Sequence, residues 1–251
     1  IGPGLSGPSP DVNDSQAGQS ITVPQGNRVA KVFNVTRLNT GGEVNLELRG
    51  APAGIRLDAR PVPNGTGQVT VVIEAAADAP EAGCFADLVA RVKDNGLEGR
   101  HGLTANLVIF RNNEAIFSTR EDRLPVGVAP AAPVKISARC AGPLVQGGLA
   151  EIHVTAERAD GFKQAVELRL PWKPAGVSAP PSISLPEGAT EVVYPLDAEA
   201  AAAIGTHQLV ITAHWGAGTT VSTAMIPLVV EEPWVRGGIE MTAITTGGTA
   251  N

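Results

Sequence analysis

The feature that most constrains this chain is that it repeats itself. Gln25-Gly26 recurs as Gln146-Gly147, about 121 residues later. Val44-Asn45-Leu46-Glu47-Leu48 recurs as Val166-Glu167-Leu168-Arg169-Leu170, and Pro52-Ala53-Gly54-Ile55 as Pro174-Ala175-Gly176-Val177. Gly83 opens one apolar run and Gly205 another, and Asp94-Asn95-Gly96 has its counterpart in Gly216-Ala217-Gly218. Landmarks in one order at nearly one offset mean a duplicated folding unit. Each copy falls near the common domain size of about 100 residues, enough to bury a core of its own.

Within each copy the apolar residues follow the two-residue period of a strand. In Glu43–Arg49, Val44, Leu46 and Leu48 lie on one face and Asn45 and Glu47 on the other. His207–Trp215 alternates through Leu209, Ile211 and Ala213. The first copy has further candidate strands at Ser20–Val23, Arg28–Val35, Gln68–Glu74, Phe85–Lys93 and Leu103–Phe110. The second has them at Val134–Ala138, Ala150–Glu157, Ala165–Leu170, Glu191–Leu196 and Thr219–Val230. Gly65 and Gly96 each follow an Asn, the pair favoured in two-residue hairpins with φ > 0. Asp197–Ala203 reads as a short helical turn with Asp197 as N-cap, and its counterpart Ala75–Pro80 as a turn. No ten-residue helical pattern separates the strands, which argues against a parallel α/β sheet. The expected fold is all-β, each copy a sandwich or barrel of short strands. The expected spans are an N-terminal tail at 1–18, sandwich one at 19–111, a linker at 112–133, sandwich two at 134–231 and a C-terminal tail at 232–251. The linker reading rests on the polar stretch Ser118–Arg123 and the Ala/Pro-rich Val126–Pro133.

Composition narrows the partners. The 29 glycines and 20 prolines call for many turns. The net charge is −6 and the basic residues are scattered, so the footprint of a nucleic-acid binder is absent. No apolar run approaches the roughly 18–20 residues of a membrane-spanning helix.

The second copy also carries a recognisable order of turns. Leu170-Pro171-Trp172-Lys173-Pro174-Ala175-Gly176-Val177 is followed by Pro186-Glu187-Gly188, then by Ala203-Ile204-Gly205-Thr206-His207-Gln208-Leu209. This order resembles the bacterial immunoglobulin-like and fibronectin-III-like repeats of large secreted and cell-surface proteins. The resemblance covers about residues 20–230, with Asn64-Gly65-Thr66-Gly67 replacing the Pro-x-Gly turn in the first copy. It implies an all-β fold of two tandem immunoglobulin-like antiparallel β-sandwiches joined by an extended linker, and a secreted or surface location. The family usually has Tyr where Phe85 and His207 stand here, so a tyrosine corner is not expected.

Candidate chemistry is sparse. There are two cysteines, Cys84 and Cys140, with no metal-binding or haem-attachment spacing. They read either as an interdomain disulfide, formed if one domain folds back on the other, or as two buried free thiols. His101, His153, His207 and His214 form no cluster in sequence, so no metal ligand set is assigned. No nucleophile elbow, zinc-protease helix, phosphate loop or dinucleotide fingerprint is present. Glu121-Asp122 and Glu231-Glu232 read as solvated loop charges, and Asp11, Asn13 and Asp14 as an incomplete calcium loop. Asn34-Val35-Thr36 and Asn64-Gly65-Thr66 mark surface loops. Trp172 lies between Pro171 and Pro174 in a turn, an exposed contact residue, whereas Trp215 and Trp234 read as packing.

The expected role is a non-catalytic extracellular structural or interaction protein, with no cofactor. It is a spacer or assembly subunit whose partners are other protein subunits or copies of itself, met through edge strands and termini. The alternative is an accessory module that binds polysaccharide.

Overall fold

The computed structural model describes residues 3–6, 20–109, 115–216 and 218–234. Every regular element among them is a strand. The first sandwich contains β1 (Pro3–Ser6), β2 (Ile21–Pro24), β3 (Arg28–Arg37), β4 (Val44–Arg49), β5 (Ile55–Ala59), β6 (Gln68–Ala75), β7 (Gly83–Val92), β8 (Glu98–Arg100) and β11 (Leu124–Ala129). A two-stranded ribbon, β9 (Leu103–Ile109) and β10 (Ala115–Glu121), is inserted between β8 and β11. The second sandwich contains β12 (Val134–Cys140), β13 (Leu144–Val145), β14 (Leu149–Arg158), β15 (Val166–Arg169), β16 (Val177–Ser178), β17 (Ile183–Leu185) and β18 (Glu191–Ala198). It is completed by β19 (Gly205–Leu209), β20 (Thr212–Trp215), β21 (Thr219–Ser222) and β22 (Ile226–Glu231).

The strand order identifies the architecture. One sheet of the first sandwich runs β1-β3-β6-β5, and one of the second runs β12-β14-β18-β16. In chain order these are strands A, B, E and D. Facing them are the C, F and G strands: β4, β7 and β8/β11 in the first copy, and β15, β19/β20 and β21/β22 in the second. That is the immunoglobulin arrangement, built twice.

Five expectations are corrected. The sheets are not purely antiparallel, because β2 pairs parallel with β11 and β13 parallel with β22. Residues 112–133 are not an extended linker. They contain β10 and β11, and Leu124, Val126 and Val128 alternate into the first core. The Pro-rich composition masked that period of two, and only the few residues between Ala129 and Val134 join the sandwiches. Within the supposed tail 1–18, Pro3–Ser6 is strand A, pairing Pro3 with Arg37 just as Val134 pairs with Arg158. The incomplete calcium loop and residues 235–251 lie outside the described residues. Asp197 belongs to β18 and caps no helix; the alanines after it make one turn, closed by Ala202 N–H on Glu199 C=O. The runs read as single strands at His207–Trp215 and Thr219–Val230 are each broken in two, at 210–211 and 223–225.

The cores follow from the alternation. Leu168, Leu185, Leu196, Leu209 and Leu228 are fully buried in the second sandwich, and Val44, Val71, Ile73 and Leu88 in the first. Each such side chain contributes about 1.5–3 kcal/mol by leaving water, so Leu168→Ala costs roughly 2–5 kcal/mol. Of the two Asn-Gly turns, only the glycines take positive φ, Gly65 at 82° and Gly96 at 69°.

The repeated landmarks form one structural knot per copy. Gln25 Nε2 donates to Ala79 C=O at 2.8 Å, and Gln146 Nε2 to Ala202 C=O at 2.7 Å. Gly54 C=O accepts from Ala76 N–H and Gly176 C=O from Glu199 N–H. These bonds tie the start of strand B, the turn after strand C and the turn after strand E together at one end of each sandwich.

Candidate functional site

The two sandwiches pack directly on each other. Ala30 on β3 and Val72 on β6 point away from the first core and bury against Val210, with Met225 beside them. This contact uses the two breaks that divide the second sandwich's F and G strands. At the junction the Asn27 side chain, itself buried, donates from Nδ2 to Val134 C=O at 2.8 Å. Its Oδ1 accepts from Arg28 N–H at 2.9 Å, so both ends of the amide are used. In the second copy this position is Gly148, which keeps the equivalent backbone bond, Ala198 N–H to Gly148 C=O, but offers no clamp.

Two crevices flank this interface. One, of about 570 Å³, runs between Val62, Pro63 and Val69 of the first sandwich and Trp172, Pro174 and Met225 of the second. Its walls are mainly apolar, and the Trp172 ring lies 6.4 Å from that of His207. Trp172 is thus half-buried, against the second core on one side and the groove on the other. The other crevice, of about 520 Å³, lies between β2, β3, the Ala129–Pro133 junction and the β20–β21 turn. It contains Lys31 and Trp215, together with the hydroxyl residues Ser20, Thr22, Thr219 and Thr220. Burial pushes the Lys31 ammonium below the usual lysine range. Close by, His214 Nε2 lies 2.9 Å from Thr212 Oγ1 and its Nδ1 3.0 Å from Thr220 Oγ1. Burial lowers its pKa, with the Arg169 and Lys31 charges adding to the effect and Glu167 opposing it.

The cysteines are not brought together. Both are free thiols, Cys84 donating to Gly50 C=O at 3.0 Å and Cys140 half-buried against the second core. The reason is the direction of β12. It leaves the junction at Val134 and carries Cys140 six residues further, about 20 Å, whereas a bridge needs Cα atoms within about 7 Å. Burial pushes the Cys140 thiol up, away from the reactive thiolate.

The histidines also stay apart. His101 is buried in the first core, edge-on to Phe33 at 5.5 Å, with Nδ1 unpartnered. His153 lies near Glu151 on the surface, and His207 Nε2 lies 2.8 Å from Ala203 C=O. Among the described residues no three His, Cys, Asp or Glu side chains gather where they could hold a metal ion. Charged residues form surface pairs. Arg49 joins Glu47 and Glu98, Asp87 lies between Arg100 and Arg123, and Glu74 is held by Arg28 and Arg56. Trp234, read as packing, is 78% exposed and donates to Glu231.

The third candidate surface is the β9–β10 ribbon. In register it pairs Leu103 with Glu121 and Ala115 with Ile109, and among the described residues neither strand pairs with any other. It fills a place that the second sandwich closes with Thr223–Met225 alone. The equivalence is exact in hydrogen bonding: His101 N–H donates to Leu88 C=O, and Thr223 N–H to Ile211 C=O. At its root Phe85 is 57% exposed, in register with Pro125.

No protein-family model matches the chain, and no curated protein sequence matches it. Solved structures to which it is similar include the titin domains Z1Z2 crystallised in complex with telethonin. That match has 11% identity and a TM-score of 0.25, over 85% of this chain and 93% of that one. A marsupial T cell receptor matches at 11% identity and TM-score 0.31, over 95% of this chain and 75% of that one. A Porphyromonas gingivalis W83 protein of unknown function matches at 8% identity and TM-score 0.25, over 85% of this chain and 97% of that one. At these scores the fold assignment stands on the strand pairing above.

Proposed function

We propose that this chain is a non-catalytic structural and interaction element of a secreted or cell-surface protein of bacterial type, which assembles with copies of itself through the β9–β10 arm. The observation that carries the reading is the arm. The fold closes the same gap with three residues in the second copy, so the nineteen residues Leu103–Glu121 are not needed to complete a sandwich. A two-stranded ribbon alone is marginal in water, and each of its outer edges offers unpaired N–H and C=O groups to a third strand. Residues 103–123 carry Arg111, Arg120 and Arg123 against Glu114, Glu121 and Asp122, so two arms meet without net repulsion. The secreted and surface location rests on the resemblance of the turns at 170–209. The packed interface supports the spacer part of the reading, since it ties the sandwiches by Asn27 as well as by the chain.

The test replaces 102–123 by Ala-Met, the two residues that follow Thr223 in the second copy, and measures mass against concentration by sedimentation. The intact chain should form a concentration-dependent assembly and the shortened one stay monomeric with an unchanged melting midpoint. A monomeric intact chain, or a shortened chain that assembles equally well, would refute the reading.

A further inference from the structure

The crevice around Lys31 has a charge that the fold does not answer. Lys31 lies on the inward side of β3, between Val29 and Phe33, in a position the pattern gives to apolar residues. Its side chain turns into the crevice between the sandwiches. Among the described residues no acidic side chain lines that crevice and no ion pair involves Lys31. This is unexpected in a chain with 25 acidic and 19 basic residues, whose exposed Lys93 finds Glu43 at 2.9 Å. A half-buried ammonium without a counter-ion is costly to keep, and an anion supplied from outside removes that cost.

We propose that the Lys31 crevice binds a carboxylate-bearing sugar residue, a uronate, with its carboxylate on Lys31. One lysine matches a single negative charge, which a carboxylate carries and a phosphate monoester exceeds. The rest of the lining suits a sugar ring. The Trp215 indole supplies apolar surface, and Thr22, Thr219 and Thr220 supply hydroxyls that donate or accept. About 520 Å³ is within the roughly 300–1,000 Å³ of small-ligand sites. Burial lowers the pKa of the Lys31 ammonium, and a carboxylate bound beside it would raise it again. This site is independent of the arm and of assembly.

The test titrates the full chain with galacturonate di- and trisaccharides, with the matching neutral galactosides and with a short oligoglutamate peptide, read by calorimetry. The uronates should bind and the neutral sugars should not. Lys31→Met keeps the apolar stem and should weaken uronate binding about ten- to a hundredfold, as expected for loss of a charged hydrogen bond. Without ligand the same variant should melt no lower than the parent, because a desolvated charge has been removed. Equal binding of neutral sugars, unchanged affinity in the variant, or no uronate binding would overturn the proposal. Tighter binding of the peptide would overturn the sugar assignment, and a large fall in melting midpoint would make Lys31 a structural residue.

Discussion

A methyl group added at Gly176 tests the knot that both copies share. Gly176 has φ of 74°, where an L side chain costs about 1 kcal/mol or slightly more. A Cβ built there would lie 2.7 Å from Ala202 Cα and 3.1 Å from its nitrogen, inside van der Waals contact with backbone. Overpacking of that kind costs about 1–3 kcal/mol, so Gly176→Ala should lose roughly 3 kcal/mol in all. Gly188 is the control. Its φ is 68°, and a Cβ there meets nothing within 4 Å, so Gly188→Ala should lose only about 1 kcal/mol. Gly54 provides a second comparison, because its obstruction is mainly the Ala79 methyl, at 2.6 Å, with Ala79 Cα at 3.1 Å. Ala79→Gly should therefore recover part of the loss in Gly54→Ala. Ala202→Gly should recover little in Gly176→Ala, where the backbone itself is in the way. Urea unfolding of the singles and doubles reads all of this. Equal losses at Gly176 and Gly188, or equal rescue in both copies, would refute the contact argument and leave only the backbone term.

Two further outcomes follow from the junction and the first core. Asn27→Ala should cost about 1–3 kcal/mol by leaving Val134 C=O without its buried donor, and should expose the Ala129–Pro133 junction to limited proteolysis before either sandwich unfolds. His101 is held neutral by burial, its pKa pushed below the ordinary 6.5. The unfolded chain therefore binds the extra proton first. Stability from this group is present above about 6.5 and is lost as pH falls from there toward the folded value, at up to about 1.4 kcal/mol per pH unit. Stability measured against pH for the parent and His101→Leu should diverge below pH 6.5, with the parent the steeper; parallel curves would show that His101 titrates normally.

The sandwich pair was legible because its signals are local. Val44, Leu46 and Leu48 alternate in six residues, and the Gln-Gly and Pro-Ala-Gly landmarks recur as short strings. What stayed hidden depends on distance. Leu124, Val126 and Val128 also alternate, but their partners on β2 and β7 are far away in sequence, and the surrounding prolines and alanines looked like a tether. Strand A at Pro3–Ser6 shares no string with Val134–Cys140; only its pairing with β3 identifies it. Trp172 reads as an exposed contact residue from its flanking prolines, whereas the structure half-buries it between the second core and the wall of the apolar groove. Lys31 and Asn27 were missed. The signal for Asn27 was available, as a mismatch in the repeat: Gln25-Gly26-Asn27 against Gln146-Gly147-Gly148. For Lys31 it was a lysine on the apolar side of a strand.

Differences between the copies carry more functional information than the likenesses. The interface inside the chain joins Ala30 and Val72 to Val210. By register the position paired as Ala30–Val72 in the first copy is Glu151–Pro195 in the second, and the place of Val210 is taken by Asp87 in the first. Repeating this contact from one chain to the next would press Asp87 toward Glu151, two like charges where the internal joint is buried and apolar. That arrangement would cost energy and disfavour repeating the internal joint between chains. Asp87 has Arg100 and Arg123 at 3.7 Å but keeps Oδ1 buried without a hydrogen bond, and Glu151 is an exposed charge with His153 at 3.7 Å. The self-assembly proposed above therefore calls for another surface than the domain joint. The arm, absent from the copy whose breaks already touch a neighbour, offers two such edges outside either sandwich.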